Sequence, residues 1–127
     1  MDPIANFLNK LRIAYKTGKE SFPFPVSNLI LSVAGALERR GYIGGTSRKG
    51  KKGRTLEVTL SYKDEKPSVE GARRVSHLSR RVYRAVRDLR PVRNGFGMAV
   101  LSTPNGVLTD SEAKAARVGG EVLFEIW

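Results

Sequence analysis

Apolar residues recur at helical spacing in two places within the first third of the chain. The first run follows Asp2 and Pro3, a capping side chain and then a proline at the first helical position, and the second run follows Ser27. Gly18 and Gly41 come shortly after the last apolar positions, where a glycine commonly ends a helix. The pattern predicts two helices that each bury one face. The apolar positions are Ile4, Phe7, Leu8, Leu11, Ala14 and Tyr15 in the first helix, and Leu29, Ile30, Val33, Ala34 and Leu37 in the second.

Alternating apolar and polar positions predict three strands in the same half of the chain. Residues 20–25 (ESFPFP) contain two prolines, which cannot donate to a sheet, so this segment is predicted as an edge strand. A second strand is predicted to open at Tyr42 and Ile43. A third covers residues 54–62, joined to the second by a glycine-laced basic hairpin loop. The inward positions of this third strand are predicted to be Leu56, Val58, Leu60 and Tyr62.

The second half of the chain is predicted to be mostly β-structure. The polar stretch 63–67 (KDEKP) indicates a boundary, which gives a division into residues 1–66 and 67–127. Residues 72–76 and 80–86 are interpreted as short strands or extended segments, although 80–86 is also compatible with a helix. Residues 96–102 alternate as a strand.

A short helix and a last strand close the second half. Thr109 and Glu112 form a capping box that opens a helix of about two turns. The sequence Val118-Gly119-Gly120 is predicted to end that helix, and residues 121–127 alternate as a strand. The predicted fold class is α+β, with an N-terminal helix-strand-helix-strand-strand unit packed on a C-terminal, mostly antiparallel β unit that carries one short helix.

Composition permits a folded core and excludes several kinds of chemistry. Of the 127 residues, 40% are hydrophobic, and the chain contains no cysteine and only one histidine, His77. Disulfides, thiolate catalysis and multi-histidine metal sites are therefore excluded, and no cofactor is predicted. The first residues lack a signal-peptide pattern and the most apolar stretch, 29–37, is too short to cross a bilayer. We expect a cytoplasmic protein.

The strongest compositional signal is positive charge. Lysine and arginine number 23 against 12 acidic residues, a formal charge of +11, and both halves are basic: 13 basic against 6 acidic residues in 1–66, and 10 against 6 in 67–127. A chain this basic favours a polyanionic partner, and nucleic acid is the first to consider. Arginine suits bidentate phosphate contacts and stacking. Between positions 73 and 93 there is one acid and no lysine, but there are eight arginines: Arg73, Arg74, Arg80, Arg81, Arg84, Arg87, Arg90 and Arg93.

Two apparent catalytic motifs do not fit their structural context. Gly95-Phe96-Gly97 is followed by a predicted strand, and Val100 stands where a dinucleotide fingerprint needs its third glycine. Ser102, His77 and Asp110 supply the residue types of a hydrolase triad, but no nucleophile-elbow sequence surrounds the serine. We therefore predict that the chain is not an enzyme.

Small polar residues in two glycine-containing turns are better candidates for contact with a ligand. The loop 102–106 (STPNG) carries short hydroxyls that fit a shallow groove, although Pro-Asn-Gly is also ordinary hairpin chemistry. Glu121 follows Gly119-Gly120, from which it is able to reach a ligand. Tyr83 lies inside the arginine run and is a candidate either for base stacking or for the core. The aromatic residues Phe7, Tyr62, Phe96 and Phe124 are predicted to be core.

Several short motifs occur in an order that resembles the bacterial form of small-subunit ribosomal protein eight. The resemblance covers residues 2–127 and is carried by Asp2-Pro3-Ile4-Ala5, Arg74-Val75-Ser76, Arg81-Val82-Tyr83, Asn94-Gly95-Phe96-Gly97, Ser102-Thr103, Gly106-Val107-Leu108-Thr109-Asp110, Glu112-Ala113 and Gly119-Gly120-Glu121-Val122-Leu123. It implies an α/β part packed on a mostly β part. It also implies direct binding to a helix in the central domain of small-subunit ribosomal RNA, contacts with neighbouring ribosomal proteins, and repression of the protein's own messenger RNA in family members.

The resemblance implies that the serine-threonine turn and the Gly-Gly-Glu turn meet the RNA minor groove and an irregular internal loop. In this chain Pro104 and Asn105 replace a serine and a lysine that the family usually has in the first turn. Extra arginine–phosphate contacts are our hypothesis for how the loss is compensated. The predicted RNA contacts are Ser102, Thr103, Asn105, Gly106, Gly119, Gly120, Glu121, Tyr83, Arg81, Arg73, Arg74, Arg80 and Arg84, with Lys51 and Lys52 in the basic hairpin loop.

Three alternatives remain at this point. A translational repressor of the chain's own messenger RNA uses the same surface and differs only in its target. A hydrolase using Ser102 and His77 predicts that His77→Ala abolishes turnover. A binder of anionic membranes is disfavoured because no predicted helix pairs a basic face with an insertable apolar face.

Overall fold

Both predicted amphipathic helices are present in the computed structural model, which describes residues 2–127 and divides into a first unit, Pro3–Glu70, and a second unit, Gly71–Trp127 together with Asp2. Helix α1 spans Pro3–Lys16 and α2 spans Asn28–Arg39, and each buries its predicted apolar face except Leu29, which is partly exposed. The hydroxyl of Ser27 caps α2 by accepting a hydrogen bond from the Ile30 N–H at 3.2 Å. No helix among the described residues is long and apolar enough to cross a bilayer.

A three-stranded antiparallel sheet completes most of the first unit. Strands β1 (Ser21–Pro25), β2 (Gly45–Lys49) and β3 (Thr55–Thr59) lie in the order β1-β3-β2, so the proline-containing strand is at the edge, as predicted. The aromatic rings of its core meet at favourable angles: Phe7 packs 5.8 Å from Phe22 and edge-on at 5.1 Å from Phe24.

Three details of the first unit differ from the sequence prediction. Tyr42 and Ile43 are buried in the turn before β2 and are not part of a strand. Tyr62 is 37% exposed, and its hydroxyl donates to the Lys19 carbonyl at 2.6 Å. The polar stretch after it forms a tight hairpin of β4 (Tyr62–Lys63) and β5 (Lys66–Pro67), with positive φ at both turn residues, because side-chain polarity alone does not distinguish a turn from a linker.

The second unit is built on an antiparallel sheet. It contains β6 (Ala72–Arg74), β7 (Tyr83–Arg84), β8 (Met98–Thr103), β9 (Gly106–Thr109), α3 (Asp110–Ala116) and β10 (Gly120–Ile126). The sheet order is β6-β10-β8-β9, and β7 also pairs with β10. The capping box at Thr109 and Glu112 is present with both hydrogen bonds. Three helices and antiparallel sheets confirm the α+β class.

A small apolar core packs against one side of this sheet, formed by Leu89, Val92, Ala99, Leu101, Ala113 and Val122. The prediction that Phe96 belongs to a core is wrong: this side chain is 85% exposed, because β8 begins two residues later, at Met98. The prediction that Gly119-Gly120 ends α3 is also inaccurate, since the chain turns at Arg117, which takes a left-handed conformation with φ 57°.

Candidate nucleic-acid interface

Strand pairing in the second unit places three of the predicted contact residues side by side. Glu121 on β10 lies opposite Ser102 on β8 and opposite Tyr83 on β7. Directly paired residues on adjacent strands extend from the same face of a sheet, with Cβ atoms about 5 Å apart. The three therefore form a row across three strands, which we call the contact row. Ser102 and Tyr83 are exposed, Tyr83 by 68%.

The carboxylate in the middle of the contact row organises the residues around it. Glu121 Oε2 accepts a hydrogen bond from the Ser76 hydroxyl at 2.5 Å and from the Arg81 guanidinium at 2.9 Å. The Ser76 hydroxyl also accepts from the Val82 N–H at 3.1 Å. Because the Glu121 side chain is only 12% exposed, it supports Arg81 and the backbone leading to Tyr83 more than it presents itself to a ligand.

The pKa of Glu121 lies below its ordinary value. Partial burial acts to raise it, but the hydrogen bonds from Ser76 and Arg81, the charge of Arg81 and the charge of Arg74 together outweigh the burial. The pKa of Arg81 is raised by the same hydrogen bond and charge. The carboxylate is therefore ionised at neutral pH and has a positive partner, so its charge is compensated within the face.

The hairpin between β8 and β9 presents the polar turn at the end of the contact row. Thr103 pairs with Gly106 across the turn, and Gly106 takes a φ of 100°, which favours glycine. The Thr103 hydroxyl donates to the Gly106 carbonyl at 2.8 Å and accepts from the Asn105 N–H at 3.0 Å. This hydroxyl therefore fixes the turn, while Ser102 and Asn105 are the exposed polar side chains beside it.

Gly119 and Gly120 allow close approach of three strands and do not form a left-handed turn, since both have negative φ. A Cβ on Gly119 would collide with the Arg84 carbonyl and lie 2.9 Å from the Ala85 Cα. A Cβ on Gly120 would collide with the Ser102 carbonyl on the other side. These two glycines let β10 enter between β7 and β8, which brings the contact row together.

The predicted arginines occupy different environments. Arg80 and Arg84 are exposed and have no acidic partner within residues 2–127. Arg84 follows Tyr83 on β7 and pairs with Gly120, so its side chain extends from the other face of the strand than Tyr83. Arg74 is engaged internally: its side chain is 15% exposed, pairs with Asp2 at 3.0 Å and donates to the Leu123 carbonyl. Its role as an RNA contact remains a prediction.

Arg73 lies on the opposite face of the sheet from the contact row. It pairs with Glu125, which in turn pairs with Ala99 on β8, three residues from Ser102. Successive residues of a strand alternate between faces, so Ala99 and Ser102 point to opposite sides. A bulge in β10 between Val122 and Phe124 produces this change of side.

Lys51 and Lys52 lie in the first unit, in the exposed tip between β2 and β3. Lys52 has a φ of 56°, and the tip is closed by a hydrogen bond from the Arg48 side chain to the Gly53 carbonyl at 3.0 Å. The two lysines are thus held on a short structured turn, and their contact with RNA stays a prediction.

One residue that connects members of the candidate site escaped the sequence analysis. Ser76 is fully buried, and its hydroxyl connects Glu121 with the Val82 N–H. A single serine after Arg74-Val75 carries no recognisable chemistry, and its partner lies 45 residues further along the chain. Within the described residues, no group of three His, Cys, Asp or Glu side chains is placed to hold a metal ion.

Comparison with known proteins shows the family of the chain. A family model described as "Ribosomal protein S8" matches residues 2–127. Relatives named "Small ribosomal subunit protein uS8" include that of Rhizorhabdus wittichii, 41% identical over 99% of this chain and 97% of the relative. Those of Chloroflexus aggregans and Petrotoga mobilis are 41% and 42% identical, over 99% of this chain and 97% and 98% of the relatives. The chain belongs to the ribosomal protein S8 family.

Proposed function

We propose that this chain binds small-subunit ribosomal RNA directly, through the face that carries the contact row, and helps the central domain of that RNA to assemble. Family membership makes it a structural constituent of the small subunit, located in the ribosome of the bacterial cytoplasm, and not an enzyme. What we propose beyond family membership is that the chain contacts ribosomal RNA directly and does so through this face.

The contact row is the observation that carries the proposal. It combines an exposed ring at Tyr83 and an exposed short hydroxyl at Ser102. Its third member, Glu121, holds the guanidinium of Arg81 beside them. RNA is recognised through stacking on unpaired bases and through hydrogen bonds to 2′-hydroxyls and base edges in its wide, shallow minor groove. A flat row of small and aromatic side chains suits such a groove better than a row of long ones.

Phosphate contacts come from exposed basic residues in the same part of the chain as Tyr83. Arg80 and Arg84 are exposed on the segment leading into and through β7. Contacts of this kind supply affinity and set the register of the protein on RNA, whereas the row supplies discrimination. The backbone N–H groups near Gly106 and the side chain of Asn105 extend the polar surface from the hairpin turn.

Binding to a central-domain ribosomal RNA hairpin, beside a scrambled duplex of equal length across a salt series, tests the proposal. We expect a preference for the authentic hairpin that persists at moderate salt. Tyr83→Ala should weaken hairpin binding about fivefold or more, as loss of one stacked base predicts. The matched control is Tyr62→Ala, another exposed tyrosine, in the first unit. Equal, steeply salt-sensitive binding to both RNAs would show only a basic surface and overturn the proposal.

The same face serves the messenger-RNA alternative, because recognition of a similar RNA structure needs the same groups. A translational repressor should bind the leader of its own ribosomal-protein message within about tenfold of its affinity for the ribosomal hairpin. Competition between the two RNAs for one protein sample measures that ratio. A message affinity no better than that of the scrambled duplex would exclude the repressor role.

A further inference from the structure

Among residues 2–127, the most exposed large hydrophobic side chain is that of Phe96, which is not part of the contact row. Phe96 is 85% exposed and follows a loop, Val92–Gly95, that belongs to the second unit. Arg93, Asn94 and Gly95 have successive φ values of 50°, 56° and 93°. Two consecutive non-glycine residues in the left-handed region are uncommon, and such conformations cluster at ligand-binding segments.

The base of this loop is held firmly. Val92 is buried in the apolar core, and its carbonyl accepts the Gly97 N–H at 3.1 Å. Gly97 is enclosed: an added Cβ would lie 2.6 Å from the Ile126 carbonyl oxygen and 2.9 Å from the Trp127 Cβ. The Phe96 N–H also bonds to the Arg93 carbonyl at 3.1 Å. The exposed ring therefore stands on a fixed backbone, so this segment of the protein loses little backbone conformational entropy when a ligand binds.

The guanidinium beside the loop is also fixed. The guanidinium carbon of Arg93 lies over the Trp127 ring, 4.0 Å from its centroid, a cation–π arrangement that holds the guanidinium against the indole while Arg93 stays exposed. Arg93 and Trp127 line a shallow cavity that also includes Arg73 and Glu125. Because Arg73 pairs with Glu125 at 2.8 Å, the carboxylate is compensated and Arg93 contributes a net positive charge.

This surface lies on the other side of the sheet from the contact row. Arg73 pairs with Glu125, and Glu125 pairs with Ala99, whose side chain points away from the face of Ser102. One RNA helix seated on the contact row does not cover the opposite face, so the two surfaces are able to act on different parts of an RNA.

We infer that the loop Val92–Gly95, with Phe96 and Trp127, is a second RNA-contact surface, on which an unpaired base stacks against Phe96 and Arg93 binds the adjoining phosphate. The inference rests on the proposed RNA-binding function and adds a surface to it. A single ring among cationic and small residues is the arrangement found in single-strand stacking sites. Hot-spot residues of protein–protein interfaces, in contrast, lie at the centre of a larger apolar patch. The exposed chain neighbours of Phe96 are Arg93, Asn94 and Gly95, which are not large apolar residues.

Trp127 is the chain's single tryptophan and reports on this surface directly. Short single-stranded oligoadenylate RNA is titrated into the full chain while tryptophan fluorescence is followed. We expect saturable quenching, and about fivefold or greater weakening in Phe96→Ala, as the loss of one stacked base predicts. Phe96→Tyr should restore binding because it keeps a ring, whereas Phe96→Leu should not. Leu78→Ala is the control at another exposed hydrophobic side chain.

The outcomes separate this inference from the proposed function. Unchanged oligoadenylate affinity in Phe96→Ala, or full rescue by Phe96→Leu, would overturn the second surface. The central-domain hairpin is measured beside it with Tyr83→Ala. If the hairpin shows no preference over the scrambled duplex while quenching still depends on Phe96, the proposed function fails and the second surface stands. Circular dichroism melting of each variant establishes that it is folded.

Discussion

The sharpest test of how the contact row is assembled is the substitution Gly120→Ala. Gly120 is not among the glycines with a positive φ, so alanine brings no left-handed backbone strain, and the effect is steric. The added Cβ would lie 3.0 Å from the Ser102 carbonyl carbon, 3.1 Å from the Thr103 Cα and closer still to the Ser102 carbonyl oxygen. All three are backbone atoms of β8, which cannot rotate away as a side chain would.

The size of the effect follows from these distances. Ordinary contacts between carbon atoms are about 3.5–4.0 Å, so β8 must move by at least about 0.5 Å at Ser102. Overpacking of this kind costs about 1–3 kcal/mol. The displaced residues are those that the proposed function needs, so we expect RNA affinity to fall more than stability alone explains, by about tenfold at a temperature where the variant is fully folded.

Two other glycines supply controls for this experiment. Gly119→Ala meets the Arg84 carbonyl and the Ala85 Cα, so it should displace Tyr83 and Arg84 and leave the Ser102 hairpin in place. Gly18→Ala, in the first unit, meets no atom within 4 Å but has a φ of 71°, so it costs about 1–2 kcal/mol of strain without touching the contact row. It should therefore lower stability and leave RNA affinity unchanged.

Thermal unfolding followed by circular dichroism gives the stability of each variant, and filter binding of the central-domain hairpin gives its affinity. Close approach at Gly120 predicts loss of both stability and affinity in Gly120→Ala, but loss of stability alone in Gly18→Ala. If Gly120→Ala unfolds and binds RNA like the unchanged chain, β8 accommodates the methyl group and the steric reasoning is refuted.

Three further predictions concern charge and buried hydrogen bonds. The lowered pKa of Glu121 stabilises the fold above its unfolded value of 4.5, and that contribution is lost as the pH falls through the folded pKa, so Glu121→Gln should flatten the acid limb of a stability–pH profile. Tyr15→Phe should cost about 1–3 kcal/mol in urea unfolding, because the buried hydroxyl bonds to Tyr42 and Ser61. Replacing Arg80, Arg84 and Arg87 together with alanine should reduce the slope of log affinity for RNA against log salt concentration by about two. An unchanged slope would exclude phosphate contacts at these arginines.

Local signals explain why much of the fold was predictable. The apolar spacing of α1 and α2, the proline-containing edge strand and the capping box at Thr109 each depend on residues within a few positions of one another. The alternation of apolar and polar positions predicted burial less reliably at the ends of strands. Phe96 and Tyr62 continue the apolar pattern of their neighbours, but each lies just outside a buried strand and is exposed. Periodicity gives the side of a strand and does not show where the sheet stops.

The arrangement of the candidate site depends on long-range geometry that the sequence does not display. Ser76 and Arg81 reach Glu121 from 45 and 40 residues away. The bulge in β10 puts Glu125 on the opposite face from Glu121, although the two are four residues apart, and Arg73 pairs with Glu125. The sequence predicted the RNA-contact residues as one set, which stays a prediction, and their division between two faces required the register of the strands.

An acidic residue at the centre of a face proposed to bind RNA is explained by these contacts. Arg73, Arg74 and Arg81 are paired with Glu125, Asp2 and Glu121 respectively. The arginine count of the sequence therefore overstates the charge that is available to phosphates. Glu121 fixes the position of Arg81 and, through Ser76, of the strand that carries Tyr83. Because pairing with a carboxylate reduces the available charge but fixes geometry, discrimination between RNAs should depend on Glu121, whereas the salt dependence of binding should depend on the exposed arginines without an acidic partner in residues 2–127, Arg80 and Arg84.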